Sequence, residues 1–384
     1  MAGRSGSAQL RIEPVLSARD LERFIRLPNR LYRGEPGYVP PLLMERRAAL
    51  RFDKNPYFRH AKGQYWLAWR DGRPVGRISA QIDELHLAQH KDATGHFGFL
   101  DAEDDPEVYR ALTATAEDWL RAQGMRRILG PFSHSTNEEC GLLVDGFSAR
   151  PMMMMGFHPP YAAERIVEQG YSKAKDLIAY DYDMTVPPPR ETTRLLRRAA
   201  ANKRIKLRTV DMARYRDDLS VILDIFNDAW SENWGFVPFT EAEIAHIATS
   251  LRPLVRPELV WIAEVDGTPA AMIVCLPNLL EVVADLDGKL LPFGWLKLLW
   301  RLKFGKIETC RVPLFGVRRR LHRSPLGSTL VMLLLEALRE RVAANGFRGG
   351  ELSWILEDNM PMRRIIESFG GQPYKTYRIY EKPL

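Results

Sequence analysis

Residues 64–83, QYWLAWRDGRPVGRISAQID, place aromatic and β-branched side chains in two short runs on either side of Asp71-Gly72. An Asp-Gly pair supplies the positive backbone φ that a two-residue turn needs, so this stretch predicts a β-hairpin. The same pattern returns at VWIAEVDGTPAAMIVCL, with Asp266-Gly267 at its turn. After the first hairpin, apolar periodicity predicts a helix over 107–123, strands near 127–131 and 142–147, a helix over 160–169 and a strand over 176–182. Around the second, it predicts helices over 212–230 and 241–251, a long strand ending at Val317 and a helix over 328–345. A strand over 351–356, another helix and a closing strand over 375–381 complete the chain. The fold class is therefore α/β with mixed sheets, in two halves of similar order. Val186-Pro187-Pro188-Pro189 can continue neither a helix nor a central strand, which places two domains at 1–186 and 187–384. Duplication and convergence on a common layout both account for the likeness of the halves.

Composition narrows the class. With 384 residues and 46% hydrophobic content, the chain can build a core for each domain. Cys140, Cys275 and Cys310 are widely spaced, which indicates neither a disulfide framework nor a cysteine-rich zinc site and fits a reducing cytoplasm. His86 and His90 stand four apart in what reads as a solvated loop, HLAQHKDATGH, without the His-Glu-x-x-His pattern, so no metal is expected. Residues 1–14 lack the apolar stretch of a signal peptide, and no run of 18 uncharged apolar residues follows; a cytoplasmic location is expected. The formal charge of +7 is modest, but it is unevenly spread. Five basic residues and no acid lie between Lys289 and Lys306, and four arginines and a histidine lie between Val317 and Arg323. Such clusters are either solvated basic faces or phosphate attractors.

The segment CRVPLFGVRRRLHRSPLGSTL, residues 310–330, reads as a strand, a basic loop and the start of a strongly apolar helix. A helix N-terminus offers unpaired backbone N–H groups and positive dipole charge, so a pyrophosphate can dock there beside arginines. This segment resembles the pyrophosphate-binding motif of the GNAT superfamily of acyl-CoA N-acyltransferases. There a strand ends in Val, and an Arg/Gln-x-x-Gly-x-Gly/Ala loop opens a helix. Val317 takes the strand end and Gly327 the last small position; His322 replaces Arg or Gln, and Pro325, which has no N–H, replaces the middle glycine. Downstream, GGELSWILEDNMPMRRIIESFGGQPYKTYRIYEK is similar to the next strand, Asn-bearing turn, helix, Gly-Gly turn and final strand of that family.

The resemblance implies two tandem GNAT-like domains, the second binding acyl-CoA as co-substrate with Phe315, Val317, His322, Arg323, Ser324, Leu326, Gly327, Ser328 and Asn359. Its helix tyrosine, the usual acid for the departing thiolate, is replaced near Ile366; Tyr374 and Tyr377 lie just beyond, and Tyr374 is the candidate. In the first half, GPFSHSTNEECGLLVDGF concentrates functional groups between apolar strands. Transfer to an amine needs a group that receives a proton, for which His134, Glu138 and Glu139 are candidates, with Ser133 and Asn137 placed to bind the acceptor. A capped helix start or polar turn is the plainer account. The run Met152–Met155 fills gaps in a core or contacts an acyl chain, and Met153 is assigned to substrate.

Residues 290–304, LLPFGWLKLLWRLKF, read as a helix too short and too charged to span a bilayer, inserted near 288–308. Its tryptophans and lysines suit a membrane interface or a buried helix with snorkelling lysines. Together with the layout, this feature resembles bacterial GNAT-type ceramide synthases, which acylate a sphingoid base. The resemblance thus implies acyl-CoA and an amine acceptor, lipid in this case, as partners, no nucleic acid, and a peripheral place on the inner face of the cytoplasmic membrane through residues 290–306. Two alternatives stay open: a cell-wall precursor aminoacyltransferase that uses aminoacyl-tRNA, and a non-catalytic acyl-CoA-binding protein.

Overall fold

A computed structural model describes residues 9–384. The chain forms two compact units: residues up to Asp176 with Val283–Trp295 and Tyr377–Leu384, and Leu177–Val282 with Leu296–Thr376.

In the first unit, β1 (Arg11–Pro14), β2 (Ala61–Arg70), β3 (Arg73–Asp83) and β4 (Thr94–Ala102) pair antiparallel in that order. β4 then pairs parallel with β5 (Arg127–Gly130). The β2–β3 turn is the expected one, with Asp71 and Gly72 at φ of 52° and 72°. Side chains of β2 alternate between two cores. Trp66 and Ala68 join Val75, Ile78 and the helix α4 (Pro106–Ala122) on one face, through Val108, Leu112 and Ala116. Tyr65, Leu67 and Trp69 meet Phe24, Ile25 and Leu27 of the helix α1 (Ala18–Leu31) on the other. The sheet is covered on both sides, which is why its strands read as nearly continuous apolar runs. The loop expected near His86 is instead a helix, Glu84–His90, capped by the Asp83 carboxylate; His86 is buried, its ring 4.4 Å from His90 and 4.6 Å from His96.

The second unit follows the same plan. β10 (Ile205–Thr209), β11 (Val260–Val265), β12 (Thr268–Pro277) and β13 (Thr309–Val317) are antiparallel neighbours, and β13 pairs parallel with β14 (Gly349–Leu356). Each unit has a sixth strand antiparallel to the fifth. In the first it is the end of β15 (Gln372–Pro383), Tyr380 facing Gly130; in the second it is β9 (Ser172–Asp183), Tyr182 facing Gly350. The proline run lies between β9 and the helix α6 (Arg190–Ala200). The basic loop leads into α11 (Pro325–Ala344), which buries Leu330, Leu334, Leu338 and Val342. Among the described residues, no helix is long and apolar enough to cross a membrane.

Candidate acyl-transfer site

The parallel pairing of β13 and β14 stops at Val312–Leu352, and β13 runs on to Val317 with β12 alone at its side. Backbone orientation there follows from alternation. The Arg318 N–H donates to Ala270, so in the antiparallel ladder Gly316 and Leu314 point their polar groups toward β12, while Val317 and Phe315 point theirs away. Two carbonyl contacts agree: the Phe315 oxygen accepts from the Trp230 indole N–H at 3.0 Å, and the Val317 oxygen lies 2.8 Å from His322 Nε2. The N–H groups of Phe315 and Val317 therefore face the side that β14 has left. Position 313 is proline, so no third donor is stranded there. Two preorganised donors on an open strand edge are the arrangement that stabilises a carbonyl oxygen as it gains charge.

The loop that follows differs from the sequence expectation in one respect. The helix begins at Pro325 with Ser324 as its cap, because proline suits the first helical position and the serine hydroxyl accepts from the Gly327 N–H at 3.0 Å. Leu326, Gly327 and Ser328 thus lie in the first turn. The backbone N–H groups of Arg323 and Leu326 have no hydrogen-bond partner among the described residues, whereas the Ser324 hydroxyl is committed to Gly327 and to the Leu321 carbonyl at 2.7 Å. A Cβ at 327 would lie 2.2 Å from the Leu321 oxygen, so glycine is demanded there by the loop's own backbone. Arg318 pairs with Asp224 and Arg319 with Glu232 at 3.0 Å; Arg320 and Arg323 are exposed and form no ion pair among the described residues. These two guanidinium groups, two open N–H groups and the helix dipole make a candidate anion site. Asn359 caps the helix α12 (Met360–Ser368), its side chain accepting from the Met362 N–H at 3.3 Å.

The corresponding loop in the first unit has the opposite character. Between β4 and α4 stand Glu103, Asp104 and Asp105, flanked by Asp101 in β4 and Glu107 in α4; each pairs with an arginine from elsewhere, and the loop itself carries no cation for a pyrophosphate. The edge of β4 is also taken: parallel pairing ends at His96–Leu129, and the chain folds back so closely that a Cβ on Gly98 would sit 1.7 Å from the Phe132 oxygen. Among the described residues, only those of the second unit combine an open strand edge with a basic loop. The expected result in calorimetry is one acyl-CoA bound per chain, with affinity falling roughly tenfold or more in Arg320→Glu/Arg323→Glu, since two cations become anions beside phosphate. Two sites per chain, or unchanged affinity, would remove this loop from the cofactor site.

The segment folded against β4 carries the polar residues expected to act on the acceptor. His134 is 1% exposed and enclosed by Tyr57, Phe58, Tyr65 and Phe99, with ring separations of 5.0–6.1 Å. Its Nε2 lies 2.8 Å from the Tyr65 hydroxyl, and the Gln81 amide donates to its carbonyl at 3.0 Å. Burial, and next the Glu138 carboxylate, push the Tyr65 hydroxyl well above its usual range, so it keeps its proton. When Tyr65 donates to Nε2, the imidazole carries its own proton on Nδ1, which sits 3.6 Å from Glu138 Oε2. That gap is too long for a hydrogen bond, and Nδ1 has no partner among the described residues.

The two glutamates have separate situations. Glu138 is about a third exposed, whereas Glu139 is locked to Arg46. Burial opposes the charge on Arg46, but Glu139 and Glu45 outweigh it and hold the guanidinium above its usual range. Ser133 and Asn137 flank His134, both half-buried, with the Asn137 N–H bound to the Ser135 hydroxyl at 3.1 Å. Met152 is fully buried and Met153 half-buried.

Tyr374 is not a free acid. Its hydroxyl donates to Glu351, a fully buried carboxylate that also lies 2.8 Å from Lys375 Nζ and 3.5 Å from Arg311 Nε. Ser353 donates to Glu351 and accepts from Arg311 at 2.8 Å. Burial favours the neutral acid, but Lys375 and Arg311 outweigh it and hold Glu351 below the ordinary glutamate value. Sequence reasoning missed this cluster. Its partial signal was a single charged residue in each of two otherwise uncharged strands, Arg311 in β13 and Glu351 in β14; Lys375 is one of several charged residues in β15 and gave none.

No family model matches the chain. Over its whole length it is similar to a bacterial ceramide synthase of Caulobacter vibrioides (strain NA1000 / CB15N), with 48% identity over 381 residues and 99% of both chains covered. It is also 44% identical over 376 residues to protein YghO of Escherichia coli (strain K12), covering 97% of this chain and 95% of that protein. Among solved structures, a tandem GNAT protein from the clavulanic acid biosynthesis pathway superposes with a TM-score of 0.58 at 15% identity, covering 98% of both chains. A GCN5-related N-acetyltransferase from Sphaerobacter thermophilus gives 0.52 at 14% identity, covering 97% and 95%. These two likenesses establish the tandem GNAT fold.

Proposed function

Since this chain belongs to the bacterial ceramide synthase family, we propose that it transfers a long acyl group from acyl-CoA to the primary amine of a sphingoid base. The observation that carries this reading is the open edge of β13, where the Phe315 and Val317 N–H groups await a thioester carbonyl beside a basic helix N-terminus. The amine attacks the carbonyl carbon, a C–N bond forms, and the oxygen gains charge toward the two N–H donors. The C–S bond then breaks, leaving the amide and the thiolate of coenzyme A. The ammonium formed by attack must lose a proton, and Glu138 is assigned as its acceptor, with His134 and Tyr65 orienting the local hydrogen bonds. Arg320, Arg323 and the N–H groups of Arg323 and Leu326 hold the pyrophosphate.

An acceptor with a long alkyl chain resides in a bilayer, so the proposed role is in sphingolipid synthesis at the inner face of the cytoplasmic membrane. The purified full chain is tested with a long-chain acyl-CoA and a sphingoid base, with amide followed by mass spectrometry and free thiol by titration. The expected result is amide and coenzyme A in equal amounts. Thiol release without amide, or no turnover at all, overturns the reading.

A further inference from the structure

The segment from Gly288 to Ile307 is tied to the rest of the chain in part through backbone carbonyls. The Leu43 N–H donates to the Gly288 carbonyl at 2.9 Å, and the Arg301 guanidinium donates to the Val282 carbonyl at 2.7 Å. The helix within it, Gly294–Phe304, has an inverted arrangement. Its protein-facing positions are Leu298, Arg301 and Leu302, and none of its described residues is buried. Its outer positions carry Trp295, Leu296, Leu299, Trp300 and Phe304, and the turn before it exposes Leu291 and Phe293. Leu291 is 80% exposed, Phe293 73%, Phe304 64% and Trp300 62%. An apolar helix of the core, with lysines reaching out to water, would show the opposite distribution. So many large apolar side chains on one outward strip constitute a patch, which in a soluble chain marks a binding surface.

Charge selects the occupant. Lys289, Lys297, Arg301, Lys303 and Lys306 are the ionisable residues between Gly288 and Ile307, and no acid falls among them. Lys297, Lys303 and Lys306 are exposed alongside the tryptophans, and Lys303 Nζ lies 5.2 Å from the ring centre of Phe304. Lys289 pairs with Asp287 at 3.0 Å and Arg301 faces the protein, so a second copy docking on this face would set Lys297, Lys303 and Lys306 against the same three lysines. An anionic lipid surface instead offers acyl chains to the apolar strip and negative headgroups to the lysines, and indole rings settle at that boundary.

We infer that residues 291–304 form an in-plane anchor that docks the protein on an anionic bilayer. The anchor deepens the lipid-amine reading and rests on it for its purpose, but docking is scored without turnover. The full chain is sedimented with vesicles of phosphatidylcholine alone or carrying about a third phosphatidylglycerol. Wild type is expected to pellet with the anionic vesicles at low salt, to be weakened by added salt, and to bind the neutral vesicles poorly. Trp295→Glu/Trp300→Glu and Lys297→Gln/Lys303→Gln are each expected to reduce partitioning roughly tenfold or more. All four side chains are exposed, so circular dichroism and thermal melting should match wild type. Both variants are expected to keep wild-type acylation of a short, soluble amine. Wild type remaining in the supernatant with anionic vesicles, or a Trp variant that binds like wild type, overturns the anchor. A concentration-dependent dimer in ultracentrifugation that the Trp variant abolishes overturns it in favour of a second copy. Vesicle binding without amide synthesis would leave the anchor standing and sink the acyl-transfer reading alone.

Discussion

Glu138→Gln is expected to lower kcat by roughly 10²-fold or more with little change in acyl-CoA affinity, because it removes the proposed proton acceptor and leaves the proposed cofactor loop untouched. Glu139→Gln should behave differently. It deprives Arg46 of its closest carboxylate, so its main effect is lost stability, with a smaller effect on rate. Tyr65→Phe separates orientation from chemistry: it removes the hydrogen bond to His134 Nε2 while leaving the Glu138 carboxylate in place. A moderate fall in kcat, smaller than that of Glu138→Gln, is expected there. If Glu138→Gln keeps wild-type turnover across pH, the proton goes to water and the His134–Glu138 pair has no part in the step.

Lys375→Met should destabilise the protein by about 3–5 kcal/mol, since it strips a fully buried carboxylate of its nearest cation. Urea unfolding at neutral pH measures this directly. The pH dependence has a fixed sign. Glu351 titrates below its ordinary value of 4.5 in the folded protein, so it contributes stability above that pH, and the contribution is lost as pH falls through the folded value. With Lys375 gone, the folded value rises, and the loss should begin at higher pH. A variant as stable as wild type would show that the cluster is held by packing, with no dependence on the ion pair.

Both hairpins were legible because Asp-Gly turns have a backbone requirement that the sequence states openly. The strand, basic loop and helix start at 310–330 were legible for the same kind of reason: apolar periodicity, arginines and a helix cap are local. β4 was not. Its Gly95, His96 and Gly98 resemble loop residues, yet every residue of the strand is buried, and its glycines exist because other atoms come too close for a side chain. No local pattern reveals that. Glu351, Lys375 and Arg311 were likewise hidden, since they lie far apart in sequence and become one cluster only through strand pairing.

By itself, then, the sequence determined the α/β class, the repeated order of elements, the basic strand–loop–helix segment at 310–330 and the unusual composition of residues 290–306, all features that depend on near neighbours. Tertiary structure decided which strands complete each sheet, placing β15 beside β5 and β9 beside β14. It also decided that one unit keeps its strand edge open while the other fills it, that Glu138 and Glu139 stand in different environments, and that the tryptophans of Gly294–Phe304 face outward. The physical reason is common to all four. Periodicity states how apolar a residue is, but which neighbour covers it depends on contacts between distant segments, and those are fixed only when the chain has closed on itself.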